Sequence, residues 1–523
     1  MAPYPSPPPQ QHHPAHGTAP HHVRRNTSRP DAASSSPLRH GAPTDARGLR
    51  ALIKALSASS SSSSPAAPAV HAHAAKLGLD RERTVRNGLI ALYLARGERA
   101  AAGALFRGFP DGGRDVVSWT SMVTGHARLG LAREAVALFF AMLDDDDGPG
   151  VSVDAVAAAA GFAACADAKD LALAREAHRR VAAAKVDLDA VAWNALVDMY
   201  AKCGDVAAAR RWFGAMPVAK TVVSWNTMIS ALARAGAPGE ALALFREMQR
   251  AGARPDDATL VAALGACARL GALDAGRWVH ALCARGRGGG ADGVVVGNAL
   301  LDMYAKCGAV DQAAAVFGGM ARRDVCSYAS MILGLATHGR AGDALALFED
   351  MRRAGVLPNG VALLGVLSAC CHAGLVDEGI RHLGAMAETY GVVPGIEHYG
   401  CAVDMLGRAG RLDEAEALVA AMTVPPDALV RGSLLAACRA RGDVERAERV
   451  MRRMAAVLDR DGEAGDHVLL ANTYASKGRY GRAVRVRKQM RRKRIVKDPG
   501  CSFIEIDGVV HEFRAVPANS MTH

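Results

Sequence analysis

The 523-residue sequence is poor in aromatic side chains and lacks the patterns of several common protein classes. Phe, Trp and Tyr together make up 5% of the residues, although half of all residues are hydrophobic. No run of about 20 uninterrupted apolar residues occurs, so a transmembrane helix is not expected. No CxxC pair occurs either, which argues against a zinc site. The apolar half is mostly alanine, which favours helices.

Motifs for catalysis and cofactor binding are also missing. Zinc-dependent nucleobase deaminases need an HxE motif near a CxxC motif, and the sequence contains neither. A phosphate-binding GxxxxGK[ST] loop is absent as well. The sequence therefore predicts no catalytic residue, no metal ligand and no cofactor, and we expect that the chain is not an enzyme.

The eleven cysteines do not form the pattern of a disulfide framework. Their number is odd and they are spread over a long chain. This usage is typical of free thiols in a reducing compartment. We therefore expect each cysteine to pack in the protein interior.

The first 45 residues differ in composition from the rest. They are rich in Pro, His, Ser and Arg, and their only acids are Asp31 and Asp45. Such a segment cannot bury a core and should be disordered. An Arg-rich, Ser-rich and acid-poor N-terminus is typical of an organellar transit peptide, and a merely disordered tail is the alternative.

An internal repeat governs the remainder of the chain. The sequence NALVDMYAKCG at Asn194–Gly204 returns as NALLDMYAKCG at Asn298–Gly308, and Val117–Trp119 (VSW) returns at Val223–Trp225. The period is about 105 residues and contains three different subunits of about 31 to 39 residues. Repeats of this length indicate a stack of similar supersecondary units.

Each subunit has the pattern of a helical hairpin. In residues 222–256, apolar side chains from Trp225 to Leu232 follow the spacing i, i+3, i+4, i+7, which predicts a helix. Gly236 should break this helix, and a second amphipathic segment ends at Gly252. One hairpin cannot bury its apolar stripe, but a stack of hairpins can. The sequence thus predicts an all-α, right-handed α-solenoid of helix-turn-helix units.

These repeats resemble those of the plant pentatricopeptide repeat (PPR) proteins of the PLS subfamily. The resemblance implies about eleven repeats over 46–427, then two helical hairpins over 428–497 that resemble E motifs, and a post-E tail over 498–523. No DYW-type deaminase domain follows, so the E subgroup is implied. The predicted repeats are 46–82, 83–115, 116–154, 155–189, 190–221, 222–256, 257–293, 294–324, 325–359, 360–395 and 396–427.

The resemblance implies sequence-specific binding of single-stranded organellar RNA. The expected role is recognition of sites for C-to-U editing, with a DYW-type cytidine deaminase and other editing cofactors acting in trans. No membrane and no small-molecule substrate is expected. The mitochondrion is the predicted location, with the chloroplast as the alternative. Other functions left open are RNA processing, splicing or stability without editing, and a protein-binding helical scaffold.

Helical-repeat RNA-binding proteins contact about one base per repeat through two or three side chains. The resemblance places the base-reading pair at the fifth and last residues of each repeat and implies the RNA sequence U-G-N-N-U-N-U followed by three weakly specified bases. An Asn or Asp at a repeat boundary can also be a simple helix cap. Pairs that resemble uridine-favouring ones are Asn87/Asp115, Asn226/Asp256 and Asn298/Asp324. Thr120/Asp154 resembles a guanosine-favouring pair. Less defined pairs are Asn194/Thr221, Ala329/Asn359 and Gly400/Asp427.

The net charge of +11 is concentrated near the C-terminus. Residues 477–497 contain eleven Lys and Arg and no acid, whereas residues 51–476 are close to neutral. A solvated helix face is the simplest interpretation of a charge run, but charges of one sign repel. The segment is therefore predicted to contact RNA phosphates or to dock an acidic partner. The residues expected to do so are Arg482, Arg485, Arg487, Lys488, Arg491, Arg492, Lys493 and Arg494.

Overall fold

The computed structural model describes residues 43–58, 66–110, 113–144, 152–286, 293–458, 464–493, 495, 501–506 and 509–514. The predicted disorder and transit peptide fall on residues 1–45, of which 1–42 lie outside the described residues. The chain divides into two compact units, one up to Gly108 and one from Phe109. Each unit is built mainly from helices, as the repeat pattern predicts.

The first unit contains two helical hairpins. His71 and Tyr93 join its second and third helices through a hydrogen bond of 3.0 Å between the imidazole Nδ1 and the phenol oxygen. Leu49, Val70 and Leu89 are fully buried and form part of the unit's interior. The helices are α1 (Ala46–Ala58), α2 (Ala66–Lys76), α3 (Arg83–Ala95) and α4 (Arg99–Arg107).

The second unit continues the same pattern with eleven hairpins. In each, the odd-numbered helix comes first, and we call it the A helix; the even-numbered B helix follows. The helices are α5 (Val116–Arg128), α6 (Ala132–Leu143), α7 (Ala155–Ala168), α8 (Leu171–Ala183), α9 (Ala190–Lys202), α10 (Val206–Ala215), α11 (Val222–Arg234), α12 (Pro238–Arg250), α13 (Asp257–Leu270), α14 (Leu273–Gly286), α15 (Val294–Lys306), α16 (Val310–Gly319), α17 (Val325–Thr337), α18 (Ala341–Arg353), α19 (Gly360–Ala373), α20 (Val376–Tyr390), α21 (Ile396–Ala409), α22 (Leu412–Ala420), α23 (Ala428–Arg441), α24 (Val444–Leu458), α25 (Ala464–Ser476) and α26 (Tyr480–Arg492).

The hairpin of α11 and α12 shows how the sequence sets the helix ends. Thr221 caps α11 through a capping box with Ser224. Gly236 follows with φ of 82°, a left-handed conformation that glycine adopts without a Cβ clash. Pro238 then occupies the first turn of α12, where its missing N–H is not needed. The helix break predicted at Gly236 is confirmed.

Stacking buries the apolar stripe of every hairpin in the second unit. Successive A helices pack on each other, as α17 does on α19 and α7 on α9. One hydrophobic cluster extends from Val123 to Met405, and a second extends from Val403 to Ala483. The predicted α-solenoid is therefore confirmed. Its cohesion comes from neighbour-to-neighbour burial, as in other repeat proteins.

Aromatic side chains and histidines join neighbouring hairpins. His178 Nδ1 lies 2.9 Å from the hydroxyl of Tyr200, and the same bond joins His280 to Tyr304 at 2.8 Å. Burial lowers the pKa of both histidines, so the neutral imidazole is favoured. Trp225 is buried against Phe213. These contacts pack neighbouring hairpins against each other.

A two-stranded antiparallel sheet follows the helices. Strand β1 (Cys501–Ile506) pairs with β2 (Val509–Arg514), with Ile506 opposite Val509. The carboxylate of Glu505 accepts hydrogen bonds from the backbone N–H groups of Asp274 and Ala275 at the start of α14. The repeat pattern does not predict these strands, although an Asp-Gly pair between two β-branched runs is a known hairpin signal.

The cysteines are free, and most of them lie inside the helical stack. Cys165, Cys267, Cys283, Cys370 and Cys438 are buried. The prediction of interior packing is wrong for two of the eleven, because Cys326 on α17 and Cys501 on β1 are exposed. None of the helices in the described part of the chain combines the length and apolarity needed to cross a membrane.

Candidate nucleic-acid interface

The second residue of each predicted base-reading pair lies at the N-cap of an A helix. Its side-chain oxygen accepts a hydrogen bond from the backbone N–H three residues later, at 2.8 to 3.3 Å. The capping role considered for these residues is thus confirmed. It also fixes where their side chains can point. These caps are Asp115, Asp154, Thr221, Asp256, Asp324, Asn359 and Asp427.

In one repeat the cap forms a closed set of hydrogen bonds with the fifth residue, which we call an Asn–Asp frame. Asn226 Nδ2 donates to both carboxylate oxygens of Asp256, at 2.9 and 3.0 Å. The hydroxyl of Thr259 donates to Asn226 Oδ1 at 2.5 Å and so fixes the orientation of the amide. The frame joins α11 to the start of α13.

A second Asn–Asp frame lies two A helices further along. Asn298 Nδ2 donates to Asp324 Oδ1 at 3.1 Å, and the hydroxyl of Ser327 donates to Asn298 Oδ1 at 2.6 Å. Burial acts to raise the pKa of Asp324, but the hydrogen bonds from Ser327 and Asn298 outweigh it and lower that pKa. The same balance lowers the pKa of Asp256. Both caps therefore remain carboxylates at neutral pH.

The frame leaves the Asn amide able to meet a base edge. An Asn side chain has two N–H donors and an oxygen with two lone pairs. Within the frame, Asn226 Oδ1 accepts one bond, so that one of its lone pairs stays free. That lone pair can accept a hydrogen bond from a base N–H, such as the one that uracil carries between its two carbonyl groups.

Two other predicted pairs lack this frame in the described residues. Asn194 Oδ1 and Thr120 Oγ1 are both buried and have no hydrogen-bond partner. Thr221 and Asp154 cap their helices but make no bond to these side chains. These two oxygen atoms are therefore buried and unsatisfied within the described part of the chain, which is uncommon in folded proteins.

The remaining predicted pairs are less suited to hydrogen bonding. Ala329 is buried on α17, and Gly400 is buried on α21, where an added Cβ would lie 3.3 Å from Leu429 Cδ2. Neither offers a polar side chain. Asn87 is buried on α3 of the first unit, and Asp115 caps α5 of the second.

A row of exposed aliphatic side chains was missed by the sequence analysis. Six valines occupy the second residue of an A helix, three positions before the fifth residue of their predicted repeat, so the two share a helix face. Val223 is 59% exposed and Val295 is 65% exposed, beside Asn226 and Asn298 respectively. Packing in the protein interior does not account for these apolar residues, but each is exposed enough to contact the flat face of a base. The six are Val117, Val156, Val191, Val223, Val295 and Val361. Their constant position in the repeat was a signal available in the sequence.

The basic segment forms α26, whose side chains fall into two groups. Arg482 pairs with Glu448 at 2.8 Å and lies over the ring of Tyr474, while Arg487 donates to Asn472 at 3.4 Å. Lys493 is exposed just after the helix, and Arg494 lies outside the described residues. The following residues are exposed and have no partner in the described part of the chain: Arg485, Lys488, Arg491 and Arg492.

Tyr480 and Val484 add exposed apolar surface to the same helix, at 68% and 51%. The outer side of α26 thus combines cations with two apolar groups. Elsewhere among the described residues, no group of three or more His, Cys, Asp or Glu side chains lies close enough to hold a metal ion.

The fold and this interface define a helical-repeat protein with periodic polar frames. Family models match parts of the chain: the PPR repeat family at 220–269 and 323–372, the PPR repeat at 117–146, 191–219 and 298–325, and the E motif at 441–505. The chain belongs to the pentatricopeptide repeat family and carries an E motif.

Individual proteins show the same relationship. The chain is 48% identical over 329 residues to the Arabidopsis thaliana pentatricopeptide repeat-containing protein At5g48910, covering 63% of this chain and 50% of that protein. It is 37% identical to chloroplastic At1g11290 (85% and 54% covered) and 36% identical to mitochondrial At2g22410 (84% and 68%), both from the same plant. The chain thus spans about half the length of the first two relatives.

A solved structure is similar in fold. The crystal structure of the pentatricopeptide repeat protein PPR10 from maize superposes with a TM-score of 0.59 at 19% sequence identity, covering 87% of this chain and 65% of that one. At this identity the likeness concerns the fold alone.

Proposed function

We propose that this protein is a site-recognition factor for C-to-U editing of organellar transcripts, and that it binds single-stranded RNA through its repeats. The two Asn–Asp frames are the observation that carries the proposal. Each holds an amide in a fixed orientation at the same repeat position, beside an exposed valine. Such a site supplies hydrogen bonds to a base edge and apolar contact to its face.

The editing part of the proposal is supported by the E motif at 441–505. In the proposed arrangement the repeats select the RNA, and a DYW-type deaminase with other editing cofactors is recruited in trans. The relatives named above include one chloroplastic and one mitochondrial protein, in keeping with an organellar location. We favour the mitochondrion, and a fluorescent fusion of residues 1–50 would test this choice. An RNA processing or stability role is the alternative.

A change of base preference at one frame tests the RNA proposal. The variant Asn226→Thr should place a Thr/Asp pair at 226/256, as at Thr120/Asp154. We expect the preferred base at the fifth position of U-G-N-N-U-N-U to change from U to G, by about tenfold in affinity, since a good base contact contributes about 1–3 kcal/mol. Fluorescence anisotropy with RNAs altered at that position measures the effect.

The second frame supplies the matched control. The Asn226→Thr protein should keep its preference for U at the seventh position, where Asn298/Asp324 is unchanged. Asn298→Thr should show the converse pattern. Equal affinity of every protein for every RNA would contradict base recognition by the frames.

Substitution of the unpaired cations of α26 separates its two predicted roles. If Arg485, Lys488, Arg491 and Arg492 bind phosphates, their replacement by Gln should lower the salt dependence of RNA binding by about 0.7 for each phosphate that is no longer neutralised. If they dock a partner, RNA binding stays the same and the deaminase is no longer recovered with the protein. Replacing Arg482, which is already paired with Glu448, should have a smaller effect on either readout.

Sequencing of organellar transcripts from a loss-of-function line separates editing from the alternatives. Loss of one C-to-U change supports editing, whereas altered transcript ends or introns support RNA processing. No change in any transcript, with no RNA recovered by crosslinking, would instead favour a protein-binding scaffold.

A further inference from the structure

The first residue of α26 is an aromatic side chain that lies mostly in solvent. Tyr480 is 68% exposed, and Val484, one turn further along the same side of the helix, is 51% exposed. At the corresponding first position of three earlier B helices, Val310, Leu412 and Val444 are buried in the stack. Packing within the chain therefore does not account for the exposed pair on α26.

Four cations share this side of α26 with the exposed pair, and we call the six side chains the α26 stripe. An α-helix turns by about 100° per residue, so all six fall within a sector of about 140°. The buried residues Ala483 and Met490 lie outside that sector. With a rise of about 1.5 Å per residue, the stripe is about 18 Å long. Its members are Tyr480, Val484, Arg485, Lys488, Arg491 and Arg492.

The other cations of α26 are held by neighbouring hairpins or helices. Arg482 pairs with Glu448 at 2.8 Å. Arg487 donates a hydrogen bond to Asn472 at 3.4 Å. The four cations of the stripe, by contrast, are exposed and have no partner within the described residues. The helix therefore keeps its free cations beside the exposed ring of Tyr480.

A solvated end of the repeat stack is the simplest alternative interpretation. Terminal repeats need a polar outer face for solubility. Such faces usually mix charges of both signs, but residues 477–497 contain no acid. Solubility does not require an exposed aromatic ring beside a valine either. The stripe is therefore better suited to a ligand that is anionic and also has flat apolar groups.

Single-stranded RNA fits the stripe better than an acidic protein surface does. Proteins that bind single strands without sequence preference combine a row of cations with aromatic rings on which bases stack. A stable protein interface buries about 800 Å² on each partner around an apolar core, and two apolar side chains supply little of that. Residues 51–476 are close to neutral, so the array itself offers few free cations to RNA phosphates.

We propose that the α26 stripe is a second binding site for single-stranded RNA, in which the Tyr480 ring stacks on a base and the four cations contact phosphates. Val484 contacts the edge of the same base. The site binds nucleotides beyond those that the repeats are predicted to contact. It does not select among bases, because every base has a flat face. The proposal rests on the proposed RNA-binding function and adds a site to it.

Fluorescence anisotropy with two RNAs tests the role of the ring. The short RNA contains only U-G-N-N-U-N-U and the three bases that follow, with fixed bases at the N positions, and the long RNA adds a few adenosines or uridines at each end. Tyr480→Ala should bind the long RNA about tenfold more weakly than the wild type, as expected for the loss of one stacked base. Tyr480→Phe, which keeps a ring, should bind like the wild type. All three proteins should bind the short RNA equally.

The salt dependence of binding gives a second readout, which a loss of folding would not reproduce. Tyr480→Ala should leave the slope of log affinity against log salt concentration unchanged, because the ring has no charge. Replacement of the four cations by Gln should reduce that slope for the long RNA but not for the short RNA. Circular dichroism verifies that each variant is folded.

The outcomes separate this site from the repeats. Equal affinity of the wild type and Tyr480→Ala for the long RNA would overturn the proposal, as would an equal loss of affinity for the short RNA. Unchanged RNA binding with reduced recovery of the deaminase would assign the stripe to a protein partner and overturn it too. The base preference of the two Asn–Asp frames, measured with the short RNA, tests the proposed function independently.

Discussion

The molecule has two similar helical stacks: the repeat array from α5 to α22, and the last two hairpins, α23 to α26. They differ in the polar side chains that they bury and in their charge. In the array, the buried polar side chains among the described residues are hydroxyl groups and histidines, mostly at helix caps. In the last two hairpins, the charged side chains of Arg431 and Asp466 are buried together at 3.2 Å. The array is also near neutral, whereas α26 carries unpaired cations.

The difference in charge suits the two regions to different tasks. A near-neutral array has little general attraction for phosphate, so in the proposed function its selection of RNA would depend on hydrogen bonds placed in register by the frames. If the basic surface of α26 binds phosphates, as proposed, it would do so without regard to base sequence, because ionic attraction carries no base information. Changing one region should therefore leave the task of the other unaltered.

The largest effect is expected from breaking the buried ion pair. Asp466→Ala removes one member of a buried ion pair, and breaking such a pair typically costs about 3–5 kcal/mol. The double variant Arg431→Met/Asp466→Leu should recover most of that loss, because it removes both charges. Urea denaturation measures the change in the free energy of unfolding. Hydrogen exchange of the backbone amides in α23 and α25 shows whether the loss of stability lies in these helices.

An exposed ion pair of the array provides the control. Arg411 and Asp377 lie 2.6 Å apart, but Asp377 is 90% exposed. Asp377→Ala should cost less than about 1 kcal/mol. If both Asp variants had the same small effect, the proposed contrast between the two regions would be wrong.

A smaller effect is expected where two A helices of the array approach closely. A Cβ added to Gly365 on α19 would lie 2.9 Å from the backbone nitrogen of Leu333 on α17. Backbone atoms cannot change rotamer as a side chain can. Gly365→Ala should therefore lower the free energy of unfolding by about 1–3 kcal/mol through overpacking. The midpoint of thermal unfolding, with circular dichroism as the signal, measures the loss.

Gly384 on α20 is the matched control for this substitution. It is also inside a helix, but nothing lies within 4 Å of an added Cβ. Gly384→Ala should therefore stabilise the helix slightly, by up to about 1 kcal/mol. A loss of stability equal to that of Gly365→Ala would show that close packing is not the cause.

Hydrophobic periodicity and the repeat spacing predict the fold correctly because every hairpin repeats the same local rules. Gly236 and Pro238, for example, each act within a few residues of their place in the chain. The Asn–Asp pairs at 226/256 and 298/324 are also predictable, since repeat register brings them together.

Features that join different repeats through side-chain geometry are not predictable in this way. The hydroxyls of Thr259 and Ser327 complete the frames by donating to the Asn side chains. The sequence alone does not indicate that these hydroxyls face the Asn residues. Likewise, Arg482 forms a salt bridge with Glu448, which lies 34 residues away in the sequence. Such pairings depend on which side chains face each other after stacking.

The smallest effect concerns the response of the array to acid. Burial lowers the pKa of His178 and His280 below the value of about 6.5 that an unfolded chain has. At a pH between the pKa of the folded state and that of the unfolded state, the unfolded chain binds protons that the folded protein does not. The free energy of unfolding should therefore fall as the pH drops below about 6.5. Above that pH these two histidines should not affect it.

Tryptophan fluorescence isolates this response, because all five tryptophans lie in the array and the Trp212 ring is 4.6 Å from that of His178. We expect the urea midpoint of the fluorescence signal to be lower at pH 5.5 than at pH 7.5. His178→Phe/His280→Phe should reduce that difference, since phenylalanine keeps the ring but binds no proton. A difference of the same size in both proteins would assign the acid response to other groups, and the two His–Tyr contacts would then have no part in it.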